Sequence, residues 1–329
     1  MKTLIVLGEF GKRTASMLIR PERVADYAEI GALHAHAFGN RAAEALIVAL
    51  LRQRRAFDPE LALVAEENGH IIGHVLFSPH RVRLLNTSVS AVNLAPIAVD
   101  PAHQGRGIGG KLIAVGHAIA ASKGYSFSFL LGHTSYYPRF GYQTASFGSS
   151  QLVLSIADLA ASSEPLDTHG PTAEDTEALF TLWQHEEEQV DMALEPGPDL
   201  LDWLSPHPAI VATVYTRAGE VVGYTRVQRD EPTHPRVFLA RDHAAARAML
   251  FHLVSEQKKD AVAETTYTLP LHPFSASAQF LGQAEASAWA AAMTCELAPG
   301  PLPDYLAAVR EQHRPVGCPT WPVAFDLDC

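Results

Sequence analysis

The ten residues from His103 to Leu112, HQGRGIGGKL, concentrate the positions best suited to holding a phosphate group. Three patterns overlap there. Gly105, Gly107 and Gly110 fit G-x-G-x-x-G, the dinucleotide fingerprint. Gly105, Gly110 and Lys111 fit most of G-x-x-x-x-G-K-[ST], a nucleotide P-loop. Gln104, Gly107 and Gly109 fit Q-x-x-G-x-G, a loop for the pyrophosphate of an acyl-CoA. Each cradles phosphate through backbone N–H groups at a helix N-terminus, so the surroundings must separate them.

The dinucleotide pattern requires a strand running straight into the first glycine and an acidic residue about 20 positions on. Here the strand pattern ends near Val99, the polar DPAHQ intervenes, and the window 122–135 holds no Asp or Glu. The P-loop requires Ser or Thr after the lysine to ligate Mg²⁺, and Leu112 stands there. The acyl-CoA pattern requires small residues that admit close approach, a helix immediately behind, and an interrupted strand in front. Gly107 and Gly109, the helical pattern GKLIAVGHAIAA, and Pro96 within SVSAVNLAPIAVD meet all three.

Other chemistries find less support. Cys295, Cys318 and Cys329 lie near the C-terminus without metal-ligand spacing and read as reduced thiols. HEEEQVD at 185–191 lacks the second histidine of a zinc motif and reads as a solvated helix face, and no metal is expected. The formal net charge of −11 argues against nucleic acid and anionic membranes as partners, and is mildly compatible with a cationic substrate. No apolar run is long enough for a membrane helix, and MKTLIVLGEFGKR is too short for a secretory segment, so a cytoplasmic location is expected.

The elements that must position the loop follow from periodicity. LIRPERV reads as a short strand, and residues 26–55 as two helices split at Gly39-Asn40. LALVAEENGHIIGHVLFSPHRV reads as a hairpin turning at Asn68-Gly69. After the loop and its helix come the strand YSFSFLLG, a turn at SYYPRFGY, and SQLVLSIADL, a strand that could close the sheet. The expected division is an N-terminal extension over 1–16, a domain over 17–160, a linker over 161–171 and a second domain over 172–329. AIVATVYTRAGEVVGYTRVQ repeats the shape of the first hairpin, with Gly219 and Gly223 in the places of Gly69 and Gly73. The strand–helix–strand order that follows matches as well, which points to a diverged duplication.

With these segments in order, residues 17 to about 150 resemble the GNAT N-acetyltransferases, and most closely their YhbS-like branch. The carriers are LVAEENGHIIGHVLFSP, LAPIAVDPAHQGRGIGGKLI and LLGHTSYYPRFGY. The second half resembles a degenerate GNAT repeat, as in the Eis-like tandem acetyltransferases. The resemblance implies an α/β (α+β) fold of two GNAT-like domains, each a mixed, mostly antiparallel twisted sheet flanked by helices with a splayed central strand. It implies acetyl-CoA as cosubstrate and direct attack of a primary amine on the thioester in a ternary complex. The acceptor is a small-molecule or polypeptide amine.

The resemblance also assigns roles. The amides of Gly105, Arg106, Gly107, Ile108, Gly109 and Gly110, with Gln104, would hold the pyrophosphate. The backbone of Ile97, Ala98 and Val99 would hold pantetheine and the thioester oxyanion. Tyr137, four residues before Gly141, would protonate the leaving thiolate, with Tyr136 as substitute and simple aromatic packing as the competing reading. His133 stands where relatives usually carry an acid, at the end of a strand, and could take the amine proton. A loop histidine ahead of a turn capped by Thr134 or Ser135 competes, and a water relay is a third course. In the second half ARDHAAARAML occupies the loop position without a glycine, so that half is expected to bind no acetyl-CoA, and to shape the cleft or form a homodimer instead. An acyl-CoA-binding sensor with little catalysis is the rival reading of the whole.

Overall fold

Asn68 and Gly69 have φ of 55° and 82°, and Ala218 and Gly219 have 51° and 84°. These paired positive values are those of tight hairpin turns whose twist matches the strands they join. The two hairpins anchor the two halves of the chain. The computed structural model describes residues 17–155, 165–257 and 266–328. The expected extension over 1–16 lies outside the described residues, as do residues 161–164 of the expected linker.

The first half runs β1 (Leu18–Pro21), α1 (Tyr27–Ala37), α2 (Ala43–Leu51), β2 (Ala62–Glu67), β3 (His70–Leu84), β4 (Thr87–Val99), α3 (Ile108–Ser122), β5 (Phe127–Leu131) and β6 (Gly148–Ser155). The second runs β7 (Asp167–His169), α4 (Thr176–Glu187), β8 (Ile210–Arg217), β9 (Glu220–Gln228), β10 (Val237–Ala240), α5 (His243–Gln257), β11 (Thr266–Leu269), α6 (Ala278–Leu281), β12 (Glu285–Ala288), β13 (Ala292–Glu296) and α7 (Leu302–Arg310). The main sheet has the order β1-β2-β3-β4-β5-β13, antiparallel except for β4 beside β5. Its core is the apolar face of α3, with Leu112 and Ile113, laid over Val75, Phe77, Val92 and Leu130. Gly116 makes this contact close: a Cβ there would lie 2.0 Å from Phe77 Cε2.

The two hairpins correspond in detail. In the first hairpin the register shifts between Ala65 and Glu66, opposite Gly73; in the second it shifts between Tyr215 and Thr216, opposite Gly223. Each glycine then receives the following helix, Gly73 under Ile108 and Leu112 of α3, and Gly223 under Met249 of α5.

Two expectations need correction. The described part of SQLVLSIADL, residues 150–155, does not close the main sheet: β6 lies between β11 and β12, and β13 takes the position beside β5, pairing Ala292 with Leu131 through Glu296 with Phe127. Alternation identifies a strand but carries no partner, and residues 292–296 reach β5 only through the return of the whole second half. The segment expected to be a linker contains β7, a short edge strand on β8. Pairing thus crosses the middle of the chain in both directions, with β6 reaching forward and β13 reaching back.

Candidate functional site

β4 and β5 run side by side only from Ala91 and Phe127 to Asn93 and Phe129. Beyond that point β4 continues to Val99 while β5 leaves it. On its other side β4 stays paired with β3, through a bulge that sets Leu94 opposite Phe77 and Ile97 opposite Val75. The bulge holds Ala95 and Pro96, joined by a cis peptide bond. Pro96 has no N–H to give a ladder, so the strand can diverge here without stranding a donor. The divergence leaves the β5-facing edge of β4 unpaired with β5 beyond Asn93.

The split opens into a cleft of about 1010 Å³. Its wall brings together most of the residues singled out from sequence: Ile97, Val99, Gln104, Gly105, Gly107, Ile108, Gly109, Gly110, His133 and Tyr137. Gly105 and Gly107 have φ of 76° and 77°, so the loop turns where side chains are disfavoured. Gly107 is the N-cap of α3 and offers no side-chain cap, which leaves the first amides of the helix open to an anion. Gln104 Nε2 donates to Val99 O at 3.1 Å and ties the loop to the end of β4.

Two of the assigned residues are not in the wall. Ala98 is buried on the other side of β4, against Ile30, Leu33 and Val64. Arg106 turns away to Glu67, with Nη2 donating to Oε1 at 2.6 Å and Nη1 to Oε2 at 3.1 Å. The carboxylate already satisfies this guanidinium, so its charge points away from the loop.

The aromatic turn from Tyr136 to Phe140 packs directly on the start of α3. A Cβ on Gly109 would lie 2.6 Å from Tyr136 Oη, and one on Gly110 would lie 2.8 Å from Phe140 Cε1. These two glycines therefore make room for the aromatic rings. Gly141, with φ of 89°, ends the turn. The Tyr137 ring stands edge-on to Tyr136 and Tyr142, and a Cβ on Gly132 would fall 2.2 Å from its Cε2. Burial, with Tyr136 beside it, pushes the Tyr137 phenol up to about 12. Its hydroxyl has no hydrogen-bond partner among the described residues, whereas Tyr142 Oη is held by Ser128 Oγ and His117 Nε2. Tyr142 is therefore a packed structural aromatic, and Tyr137 keeps an uncommitted hydroxyl at the cleft. His133 is exposed at the end of β5, and its carbonyl accepts from the Tyr136 and Tyr137 amides.

One cleft residue escapes sequence reasoning. Glu44, in the first turn of α2, is only 5% exposed; Arg41 Nη2 donates to its Oε1 at 3.1 Å, and its Oε2 has no partner. In sequence it looks like an ordinary first-turn helix acid. Only the packing of α2 against the split reveals it.

The matching position of the second half is built differently. Asp242 Oδ1 accepts from the Ala245 amide at 2.8 Å, and Arg217 Nη1 lies 3.2 Å from Oδ2. Burial raises this carboxyl, but the Ala245 amide and Arg217 outweigh it and leave it below its ordinary value. The chain's own carboxylate thus occupies the start of α5. Among the described residues no cluster of three or more His, Cys, Asp or Glu could hold a metal ion. No described helix is long and apolar enough to cross a membrane.

Comparison with known proteins agrees with this geometry. The model of the acetyltransferase (GNAT) domain matches residues 19–145. The uncharacterised N-acetyltransferase YhbS of Escherichia coli is 36% identical over 130 residues, which are 39% of this chain and 75% of that protein. The chain spans 65% to 75% of the lengths of the curated relatives it matches. The solved GCN5-related N-acetyltransferase of Kribbella flavida has a TM-score of 0.67 at 17% identity, covering 85% of this chain and 71% of that one. Eis1 of Mycobacterium abscessus has a TM-score of 0.56 at 18% identity, covering 85% and 73%. These two likenesses extend the shared fold across both halves. Loop, split strand and aromatic turn lie within the matched segment, and the chain belongs to the GNAT acetyltransferase family.

Proposed function

We propose that the chain is an acetyl-CoA-dependent N-acetyltransferase that acetylates a primary amine by direct attack in a ternary complex. The observation that carries this reading is the single cleft joining an uncapped helix N-terminus, a freed strand edge and the hydroxyl of Tyr137. The amides from Gly105 to Gly110 that face the cleft receive the pyrophosphate, and the edge of β4 near Ile97 pairs with pantetheine like an added strand. The same edge offers N–H groups to the thioester oxygen as it gains charge. The amine nitrogen bonds to the acetyl carbon, the carbon–sulfur bond breaks, and Tyr137 gives its proton to the departing thiolate.

His133 is assigned the proton that the attacking amine sheds. A second reading of that step is favoured by one observation, the unpartnered Oε2 of Glu44 in the same wall. Slower turnover in H133Q with E44Q unaffected supports the first, and the reverse supports the second. In domain terms the reading is of two GNAT-like units exchanging strands, of which the first is catalytic. With Asp242 at the start of α5, the second binds no acetyl-CoA.

Thermal melts with acetyl-CoA, NAD and ATP–Mg²⁺, followed by calorimetry, test the reading. A ligand at 100 times its Kd adds about 2.7 kcal/mol to the folded state. Acetyl-CoA alone should raise the midpoint, with one site per chain. A shift with NAD or ATP but not with acetyl-CoA overturns the ligand assignment, and two sites per chain overturn the division of labour.

A further inference from the structure

A second cavity, of about 550 Å³, adjoins the first and shares Ala95, Leu131 and Phe325 with it. It therefore meets the cleft where β4 and β5 part, beside the freed edge of β4. Residues from both halves of the chain build it. Asn93 comes from β4, Glu187 from α4, Arg226 from β9, and Arg236 precedes β10.

Two acceptors in this cavity lack a donor. Asn93 Nδ2 donates to Phe129 O at 3.2 Å, but its buried Oδ1 has no partner. Glu187 is 6% exposed, and its carboxyl has no hydrogen-bond partner among the described residues. Burial, then the neighbouring Glu186, pushes that carboxyl up to about 8. That is the condition of a buried acid without a counter-ion. The opposite charge lies elsewhere in the wall. Arg226 Nε is 3.4 Å from Asp326 Oδ2, and Arg236 Nη1 is 3.9 Å from Asp326 Oδ1. Arg226 Nη2 also donates to Trp321 O at 3.0 Å and Arg236 Nη2 to Gln228 Oε1 at 2.6 Å. While burial keeps Glu187 neutral, two guanidiniums face the single charged carboxylate of Asp326, a local surplus of positive charge in a chain whose net charge is −11. An ammonium bound at Glu187 brings that carboxyl to its ionised form. Trp289, Trp321 and Phe325 supply apolar surface.

We propose that this second cavity is the acceptor site and takes a small zwitterionic amine, an amino-acid-like compound with an apolar or aromatic body. The ammonium group meets Asn93 Oδ1 and Glu187, and the carboxylate faces Arg226 and Arg236. The aromatic side chains cover the remainder. The volume suits a small molecule, and the two guanidiniums disfavour a polycation. The local wall therefore reverses the mild preference for cationic substrates suggested by net charge alone. This inference rests on the acetyltransferase reading above.

The test compares phenylalanine, phenethylamine and spermidine as acceptors. Release of CoA thiol is followed for the wild type, R236Q and E187Q, and phenylalanine is titrated calorimetrically into the protein with CoA present. The expected kcat/KM is at least tenfold higher for phenylalanine than for phenethylamine, and lowest for spermidine. R236Q should erase the gap by lowering phenylalanine turnover alone. E187Q should raise KM for both monoamines about tenfold while the acetyl-CoA melt shift stays intact. A preference for phenethylamine or spermidine, or a phenylalanine preference untouched by R236Q, overturns the site while leaving the acetyltransferase reading standing. No heat from phenylalanine also overturns the site. No thiol release with any amine, with phenylalanine heat present, overturns the acetyltransferase reading instead.

Discussion

Replacing Tyr137 by Phe removes one oxygen from the cleft and leaves the ring. The ring is what packs, edge-on to Tyr136 and Tyr142 and over Gly132. The hydroxyl holds no partner among the described residues, so its loss should move stability by under about 1 kcal/mol. A positioned general acid contributes about 10²–10⁴-fold to the step it serves, most when its pKa lies near the working pH. A phenol pushed up to about 12 stands above a thiol at about 8.5, which sets the expected fall in kcat at the low end, about 10²-fold, while acetyl-CoA binding is kept. The structure also fixes the pH signature. With its phenol pushed up to about 12, Tyr137 stays protonated where an ordinary tyrosine near about 10 would begin to ionise. The wild-type kcat should therefore show no alkaline decline from Tyr137 at pH about 10, where an ordinary tyrosine is half ionised. The assay is steady-state thiol release across pH, with acetyl-CoA affinity measured in parallel. A Y137F enzyme that keeps more than half of the wild-type kcat at unchanged affinity refutes the assignment, and the same fall in Y136F alone transfers it to Tyr136.

Two further outcomes concern the scaffold. Burial holds Glu186 up at about 7 and Glu187 at about 8, above their unfolded value near about 4.5. The stability tied to their protonated forms is present below that unfolded value and is lost as pH rises through 7 and 8. Burial also lowers His34 to about 3 and His117 and His272 to about 4, so their contribution is present above about 6.5 and is lost toward those values as pH falls. Thermal melts should peak near pH ~6.5, and E187Q should shallow the fall above it; an unchanged alkaline slope in E187Q contradicts this. In G148A the new Cβ would lie 1.8 Å from the Ser287 carbonyl oxygen of β12, so backbone must move. A loss of about 1–3 kcal/mol is expected by chemical denaturation. The control G31A, with nothing within 4 Å of its Cβ, should be neutral or stabilising; equal effects of the two would sink the argument.

The sequence by itself determined the parts whose signals are local. Asn68-Gly69 sets a hairpin because those two residues tolerate positive φ. Gly105 and Gly107 set the turns of the glycine loop ahead of α3 for the same reason, and Pro96 marks the strand that parts from its neighbour. Tyr137 and His133 could be placed at the cleft because short stretches of chain join them to β5. The repeat of Gly73 as Gly223 was likewise legible, since each occupies the same place in a strand–turn–strand unit. Only the tertiary structure decided what depends on residues far apart in the chain. It placed β13 beside β5 and drew β6 into the second half, because pairing between distant strands leaves no mark in the alternation of either. It turned Arg106 to Glu67 and Ala98 into the core, since an ion pair and a strand face are properties of three-dimensional neighbours. It set Glu44 beside the loop, and gathered Asn93, Glu187, Arg226 and Arg236 around one cavity. None of these four completes a motif; Glu187 lies in HEEEQVD, which reads as a solvated helix face in sequence but is 6% exposed in the fold. The contrast of local with net charge that they create exists only once the two halves of the chain have closed on each other.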